Sequence, residues 1–336
     1  MGDVALAAPV VKSLSETYPS AEISFVTRPK FGVFFHGLSN VTVVPVDLDN
    51  NYRGFGGIFK LFGDLRKLNP TMVVDIHDHL RTKLLRFFFN LTGVKTIVFE
   101  KGRSEKKRAV QANNKLRGQL AHTTERYRQV FEKIGFKFQF QKGPSLLVKK
   151  DADEKLREWI QTKGVKSKVW IGVAPFAAHT SKMWPLEKYK EVIEKLSVTG
   201  LYHFFLFGGG KSETEQLSKL QTAFTNVTST AGELGLNREL ALIEKLSIML
   251  CGDSSNMHLA ALLNVPVVSV WGGTHPHLGF GPWGQGDEAI VQVPVEELAC
   301  RPCSVYGVSK CLRGDFACLT QISPQKVVDR VLERLK

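Results

Sequence analysis

This sequence predicts an α/β fold of two doubly wound parallel sheets, and three observations carry that reading. Short apolar, β-branched runs alternate with helical stretches almost from end to end, as parallel strands joined by crossover helices require. Strand candidates are Ile23–Thr27, Val41–Val46, Met72–His77, Thr96–Glu100, Trp170–Pro175, Phe204–Gly208, Ser247–Cys251 and Val265–Trp271. Helical stretches at 4–18, 55–67, 79–92, 122–135, 152–163, 185–198, 213–223 and 255–263 fall between them. The third observation is a change of texture over 136–166, where "QKGPSLL", a charged helix and "KGVKSK" read as a passage between two units. The expected organisation is therefore a first domain over 1–155, a second over 166–322, and a closing helix over 323–336 that returns toward the first. Two such domains facing a cleft would bind ligands at the carboxyl ends of their strands.

The bulk composition agrees. With 336 residues, 43% hydrophobic and 23% charged, the chain can bury a sizeable core and is not of the disordered class. No apolar run approaches the ~18 residues of a membrane span, and no basic-then-apolar leader opens the sequence, so a cytoplasmic protein is expected. The formal charge of +13 is concentrated in "KGRSEKKRAVQANNKLRGQLAHTTERYRQ", residues 101–129. A basic face suits an anionic membrane surface, a phosphorylated substrate or nucleic acid, or is simply a solvated surface. No helix-turn-helix, zinc-finger or RNP pattern accompanies it, which places nucleic acid last.

The opening "MGDVALAAPVV" reads as a helix over 4–18 with Val4, Leu6, Val10, Val11 and Leu14 on its apolar side, and Asp3 as its cap. Such a turn ordinarily follows a strand, and here only Met1 precedes it. In a doubly wound sheet that first strand is central, so its absence predicts two neighbouring strands without their shared partner. The expectation is a natural start about ten residues upstream, one strand's length plus a short lead-in.

Four stretches carry the candidate chemistry. In "SIMLCGDSSNMHLAALLNVPVVSVWGGTHP" a strand ends at Cys251, Gly252–Ser255 turn, and a helix follows with His258 in its first turn. A helix start beside the Gly-rich Gly272-Gly273-Thr274 aims backbone N–H groups at one point, which suits a diphosphate; equally, Ser254 caps the helix and His258 packs. In "APFAAHTSKMWPLEKY" a strand runs into a loop with Lys182, and Pro185 opens a helix. "FFLFGGGKSETEQL" tempts toward a P-loop, but the first glycine of that motif would be Phe205, so the reading fails. Glu213, or Glu215 after it, stands in the first turn of the following helix, where a solvated carboxylate meets the helix dipole. Finally, "VVDIHDHLRTKLL" places Asp75, His77, His79 and Arg81 at a strand end.

Together these motifs resemble glycosyltransferase family 9, the lipopolysaccharide heptosyltransferases. The matches are Asp253, Ser254, His258 and Leu259, then Gly273, Thr274 and Pro276, then Lys182 before Trp184-Pro185, and the Gly2-Asp3-Val4 turn with Pro9 in its helix. Ser255 replaces the family's usual glycine, and Ala177 and Ala178 replace hydroxyl residues for which Thr180 and Ser181 could substitute. The resemblance implies a GT-B fold and an inverting, metal-independent transfer of heptose from ADP-heptose to a lipid A–core acceptor. It implies Asp3 as general base and Lys182 as the cation that offsets charge on the departing diphosphate. Glu213, Asp253, Ser254, Ser255, Asn256, His258 and Thr274 would bind the donor, and Asp75, His79, Arg81, Arg103, Lys107 and Arg108 the acceptor. The basic stretch would then dock on the inner face of the cytoplasmic membrane as a peripheral contact. Rival readings are a transferase for another nucleotide sugar and a basic binding protein on an inactive scaffold.

Four of the five cysteines, Cys300, Cys303, Cys311 and Cys318, follow the spacing C-x2-C-x7-C-x6-C. That pattern fits a structural zinc site, a disulfide, or reduced thiols in a loop. Cys251, at a strand end, reads as core.

Overall fold

A computed structural model of the chain describes residues 1–111 and 118–336. It divides into two compact α/β units. The first comprises Met1, Asp3–Arg103 and Thr123–Lys142; the second comprises Gly2, Ser104–His122 and Gly143–Lys336, so the chain changes units earlier than residue 155 and makes an excursion around 104–122.

The first unit opens with α1 (Gly2–Ala5) and α2 (Ala8–Thr17) in place of one helix over 4–18. Pro9 explains the break: it has no N–H to donate to the preceding turn and is tolerated only in the first turn of a new helix. Asp3 consequently lies inside α1 and is not a cap in front of a longer helix. There follow β1 (Ile23–Thr27), β2 (Val41–Pro45), α3 (Gly54–Arg66), β3 (Met72–Asp75), α4 (Leu80–Leu91) and β4 (Lys95–Val98). β1 pairs with β2 in parallel from Ile23↔Val41 to Thr27↔Pro45, and β3 pairs with β4 from Met72↔Lys95 to Asp75↔Val98. Among the described residues no ladder joins the two pairs. Val46, Leu61, Phe62, Leu65 and Phe89 form a buried core over this unit, with Phe62 edge-on to Phe89 at 5.0 Å.

The excursion carries α5 (Arg103–Ala109), and α6 (Thr123–Glu132) returns to the first unit. The second unit then alternates regularly: α7 (Lys150–Thr162), β5 (Val169–Ala174), α8 (Leu186–Ser197), β6 (Tyr202–Leu206), α9 (Lys211–Thr222), β7 (Val227–Ser229), α10 (Leu236–Glu244), β8 (Ile248–Gly252), α11 (Ser255–Leu262), β9 (Val267–Trp271) and β10 (Ile290–Gln292). α12 (Ala317–Thr320) and α13 (Pro324–Arg334) close the chain. One parallel sheet in the order β10-β9-β8-β5-β6-β7 runs through this unit. β6, β8 and β9 are buried along their whole length, as strands covered by helices on both faces must be. β7 and β10, three residues each, are too short to show alternation and escaped sequence reading.

The closing helix corrects an expectation. α13 packs within the second unit, because Val327, Val328 and Val331 on one face join the core formed by Ile193, Leu196 and Val270. Burying each such side chain contributes roughly 1.5–3 kcal/mol.

Candidate active site

The order β9-β8-β5-β6 sets four strand ends side by side, and each delivers one part of a site. β8 ends at Gly252 and is followed by the buried Asp253. β9 runs into Gly272-Gly273-Thr274, β5 into the loop with Lys182, and β6 into the turn before Glu213. Glycine at 272 is required by packing: a Cβ there would lie 2.4 Å from the Ser181 carbonyl oxygen. The Gly273 N–H donates to that same carbonyl at 2.8 Å, which ties the β5 loop to the β9 loop.

The centre of the arrangement is a carboxylate shared by two donors. Lys182 Nζ stands 2.8 Å from Asp253 Oδ2, and Thr274 Oγ1 donates to the same oxygen at 2.7 Å. The Lys182 and Asp253 side chains are only 15% and 6% exposed, so water screens the pair poorly. Lys182 is thus a partly buried, ion-paired side chain on its loop.

Next to this pair, Ser254 takes extended backbone angles and starts α11, yet its hydroxyl caps nothing. Its buried Oγ has no hydrogen-bond partner among the described residues. An unsatisfied buried hydroxyl at a helix N-terminus, with the Ser255 and Asn256 amides behind it, is arranged to meet an anion. His258 is buried in the first turn of α11. Glu213 Oε2 accepts a hydrogen bond from the Gly209 N–H at 2.8 Å, so one carboxylate oxygen stabilises the turn that opens α9. Ser181 does not serve as a free hydroxyl: it is buried, and its Oγ accepts from the Val308 N–H at 2.8 Å.

In the first unit a second group of candidates surrounds the end of β3. Asp75, expected to bind the acceptor, is buried and engaged within the fold. Its Oδ1 accepts from the His77 and Asp78 amides at 2.9 and 2.8 Å, and its Oδ2 lies 3.0 Å from Arg86 Nε. Asp78 pairs with Arg86 and Arg103 at 3.2 and 3.0 Å, and Lys101 donates to its carbonyl. This frame holds up a loop whose His77, His79 and Arg81 face solvent. Asp3 is exposed in the first turn of α1, and its charge is felt at both His77 and Lys101. Partial desolvation lowers the His77 pKa, with His79 adding to the effect and Asp3 opposing it.

The basic stretch is less available than its composition implies. Lys106, Arg126 and Arg128 are committed within the fold: Lys106 lies over the Phe280 ring at 4.2 Å, Arg126 is buried, and Arg128 pairs with Glu125 and Glu132. Lys107 and Arg108 on α5 are exposed and have no ion-pair partner among the described residues; residues 112–117 lie outside them. Among the described residues no three potential ligands gather in a metal-holding group, and the five cysteines are unpaired. Cys318 is drawn into the core, whereas Cys303 turns to the Gly273 carbonyl at 3.6 Å.

Arg301 is the site residue that sequence reading missed. It is 1% exposed, and its guanidinium reaches the carbonyls of the β9 loop. No motif signals it, because its partners there are backbone atoms.

A doubly wound sheet that presents a lysine, a buried carboxylate and an open helix start at adjacent strand ends is arranged to meet an anion, and the fold is that of the GT-B class of glycosyltransferases. The chain belongs to glycosyltransferase family 9 (heptosyltransferase), whose family model matches residues 58–307. It is 24% identical over 296 residues to the lipopolysaccharide core heptosyltransferase OpsX of Haemophilus influenzae, covering 86% of this chain and 81% of that protein. Among solved structures it resembles the family 9 glycosyl transferase of Veillonella parvula, with a TM-score of 0.76, 18% identity, and coverage of 100% of this chain and 94% of that one. It also resembles the ADP-heptose lipopolysaccharide heptosyltransferase II of E. coli, with a TM-score of 0.70, 18% identity, and coverage of 99% and 95%. Among the described residues no helix is long and apolar enough to cross a membrane.

Proposed function

We infer that this chain transfers heptose from ADP-heptose to the inner core of lipopolysaccharide, on a lipid A–Kdo or heptosyl acceptor, with inversion at the anomeric carbon. The observation that carries the reading is the anion site at the β8 and β9 ends, where Lys182, Asp253, Thr274 and the uncapping Ser254 hydroxyl converge. In this reading the donor diphosphate lies on the start of α11, against the Ser255 and Asn256 amides, within reach of Lys182, and His258 helps to orient it. Glu213 holds the ribose through the oxygen that does not serve the Gly209 turn.

The acceptor oxygen attacks the anomeric carbon while the bond to the diphosphate oxygen breaks. The acceptor proton passes to the Asp3 carboxylate, and ADP departs with its new charge met by Lys182 and the helix amides. One carboxylate suffices for a single displacement. His79, Arg81 and Arg103 bind acceptor phosphates on the first unit, and the exposed Lys107 and Arg108 attract the phosphorylated lipid surface.

Incubation with ADP-heptose and a deep-core acceptor tests the reading, with ADP release as the readout. Release only with a different nucleotide sugar would replace the donor. No release with any nucleotide sugar, despite a folded protein, would leave a binding function on the same scaffold.

A further inference from the structure

We propose that Arg301 is a positioning residue of the donor site, which aligns the Gly272–Thr274 loop and sets an unpaired positive charge behind it; the proposal rests on the donor reading given above. Arg301 Nε donates to the Gly272 carbonyl at 2.6 Å, and Nη2 donates to the Thr274 carbonyl at 3.0 Å and to Gln292 Oε1 at 2.6 Å. Nη1 donates to the Val293 carbonyl. The carbonyl between these two loop contacts, that of Gly273, accepts from the Cys303 and Ser304 amides at 3.0 and 3.2 Å. All three successive carbonyls of the loop are thus hydrogen-bonded by residues 301–304.

A fully buried arginine is ordinarily balanced by a carboxylate. Here, among the described residues, its hydrogen-bond acceptors are four neutral oxygens and no acidic group pairs with it. A cation solvated only by dipoles keeps its charge, and desolvation lowers its pKa only to about 10. The charge therefore persists beside the loop whose Thr274 hydroxyl holds Asp253, and through Asp253 the Lys182 ammonium. An incoming diphosphate meets two cations, one in contact and one behind the loop.

The same segment seats the lysine from its other side. Val308 accepts from the Ser181 N–H at 3.1 Å and its own N–H donates to Ser181 Oγ. Gly307, at φ +104°, packs so closely that a Cβ would lie 2.9 Å from both His179 Cβ and Lys182 Cε. Residues 301–308 consequently clamp both loops that carry the anion site, with Arg301 as the anchor. The titratable groups around the guanidinium are His275 and the thiols of Cys300, Cys303 and Cys318. Burial first, then Arg301, hold His275 neutral with a pKa of about 3, and burial pushes Cys318 up to about 11.

The test compares wild type with Arg301→Lys, Arg301→Met and Gly307→Ala by calorimetric titration with ADP from pH 7 to 9, and by steady-state transfer kinetics. Arg301→Met should weaken ADP binding by at least about tenfold, the worth of one charged hydrogen bond. It should also raise the donor KM while leaving the acceptor KM unchanged. Arg301→Lys keeps a charge but places an amine in the interior, where burial depresses its pKa. Its ADP affinity should therefore fall as pH rises to 9 by more than the wild-type affinity does, a signature that a merely structural role would not produce. Gly307→Ala should weaken ADP binding without touching the buried charge. Folded Arg301 variants that bind ADP with wild-type affinity at every pH would overturn the proposal. Should Arg301→Met fail to fold, the pH profile of Arg301→Lys decides alone, a profile parallel to wild type overturning it. A wild-type protein that binds no ADP would overturn the donor reading itself, and the proposal with it.

Discussion

In the second unit the charged groups of the site are buried and bonded to one another, whereas in the first unit they stand on a rigid frame and face solvent. Lys182, Asp253, Thr274 and Arg301 form a chain of contacts at the ends of a six-stranded sheet. Asp75, Asp78 and Arg86 form an equally firm set under the β3 end, but Asp3, His79 and Arg81 above them are exposed. On the function proposed above, the difference separates two tasks. A diphosphate donor is small and invariant, so groups fixed before it arrives bind it without reorganisation. A phosphorylated lipid acceptor is large and approaches from outside, and exposed cations on a firm base accommodate it.

That contrast is broken or sharpened most strongly at Asp3. If it is the base, Asp3→Asn should lower kcat by about 10²–10⁴-fold. Because the side chain is exposed, melting temperature and ADP affinity should stay at wild-type values. Unchanged turnover in a steady-state assay would remove Asp3 from the mechanism. Asp253→Ala should behave in the opposite manner. It strands the Lys182 ammonium in a site only 15% exposed, so stability should fall by about 3–5 kcal/mol in chemical denaturation, together with ADP binding. Replacing both partners, Lys182→Met with Asp253→Leu, should recover much of the stability and none of the transfer activity. Recovery of activity would mean that the buried pair is scaffolding alone.

How much of this was legible in the sequence follows the same division. All eight expected strands form, because each is long enough to show a continuous apolar run against helical neighbours. The Asp253–Ser254 turn, Lys182 before Trp184-Pro185, and Thr274, which the structure brings together, were legible because they are set by residue type at fixed spacing. Arg301 was not, since its work is done on carbonyl oxygens that every residue possesses. The closing helix was assigned to the wrong neighbour for a related reason: Val327, Val328 and Val331 mark a buried face but not the surface that buries it. Asp75 was misjudged because a carboxylate at a strand end looks the same whether it binds a ligand or, as here, its own turn and Arg86.

A smaller effect should appear at Glu239, in the first turn of α10, which sequence reading passed over. Burial raises its pKa from 4.5 to about 7. The folded chain therefore holds this proton more tightly than the unfolded chain does. The associated stability is fully present below pH 4.5 and is lost as pH rises through about 7. At 1.36 kcal/mol per pKa unit the loss is at most about 3 kcal/mol. Glu239→Gln carries no proton to lose, so its denaturation midpoint should vary less between pH 5 and 8 than that of wild type and exceed it at pH 8. Identical pH profiles would show that the carboxyl is solvated in the folded protein.

The smallest expected effect tests the exposed cations of α5, on the excursion that belongs to the second unit. Lys107 and Arg108 are the described cations of α5 that face solvent without an ion-pair partner, since Arg103 is engaged by Asp78 and Lys106 is buried. Each cation near an anionic bilayer contributes about 1 kcal/mol. Lys107→Gln with Arg108→Gln should therefore weaken binding to phosphatidylglycerol-containing vesicles by roughly thirtyfold at low salt. The two proteins should converge at ~1 M salt, where the screening length falls to about 3 Å. ADP binding, which depends on groups in the second unit's interior, should be untouched by either the substitutions or the salt-dependent docking they remove. Vesicle binding that is equal in the two proteins at low salt would show that these two cations do not hold the chain to lipid.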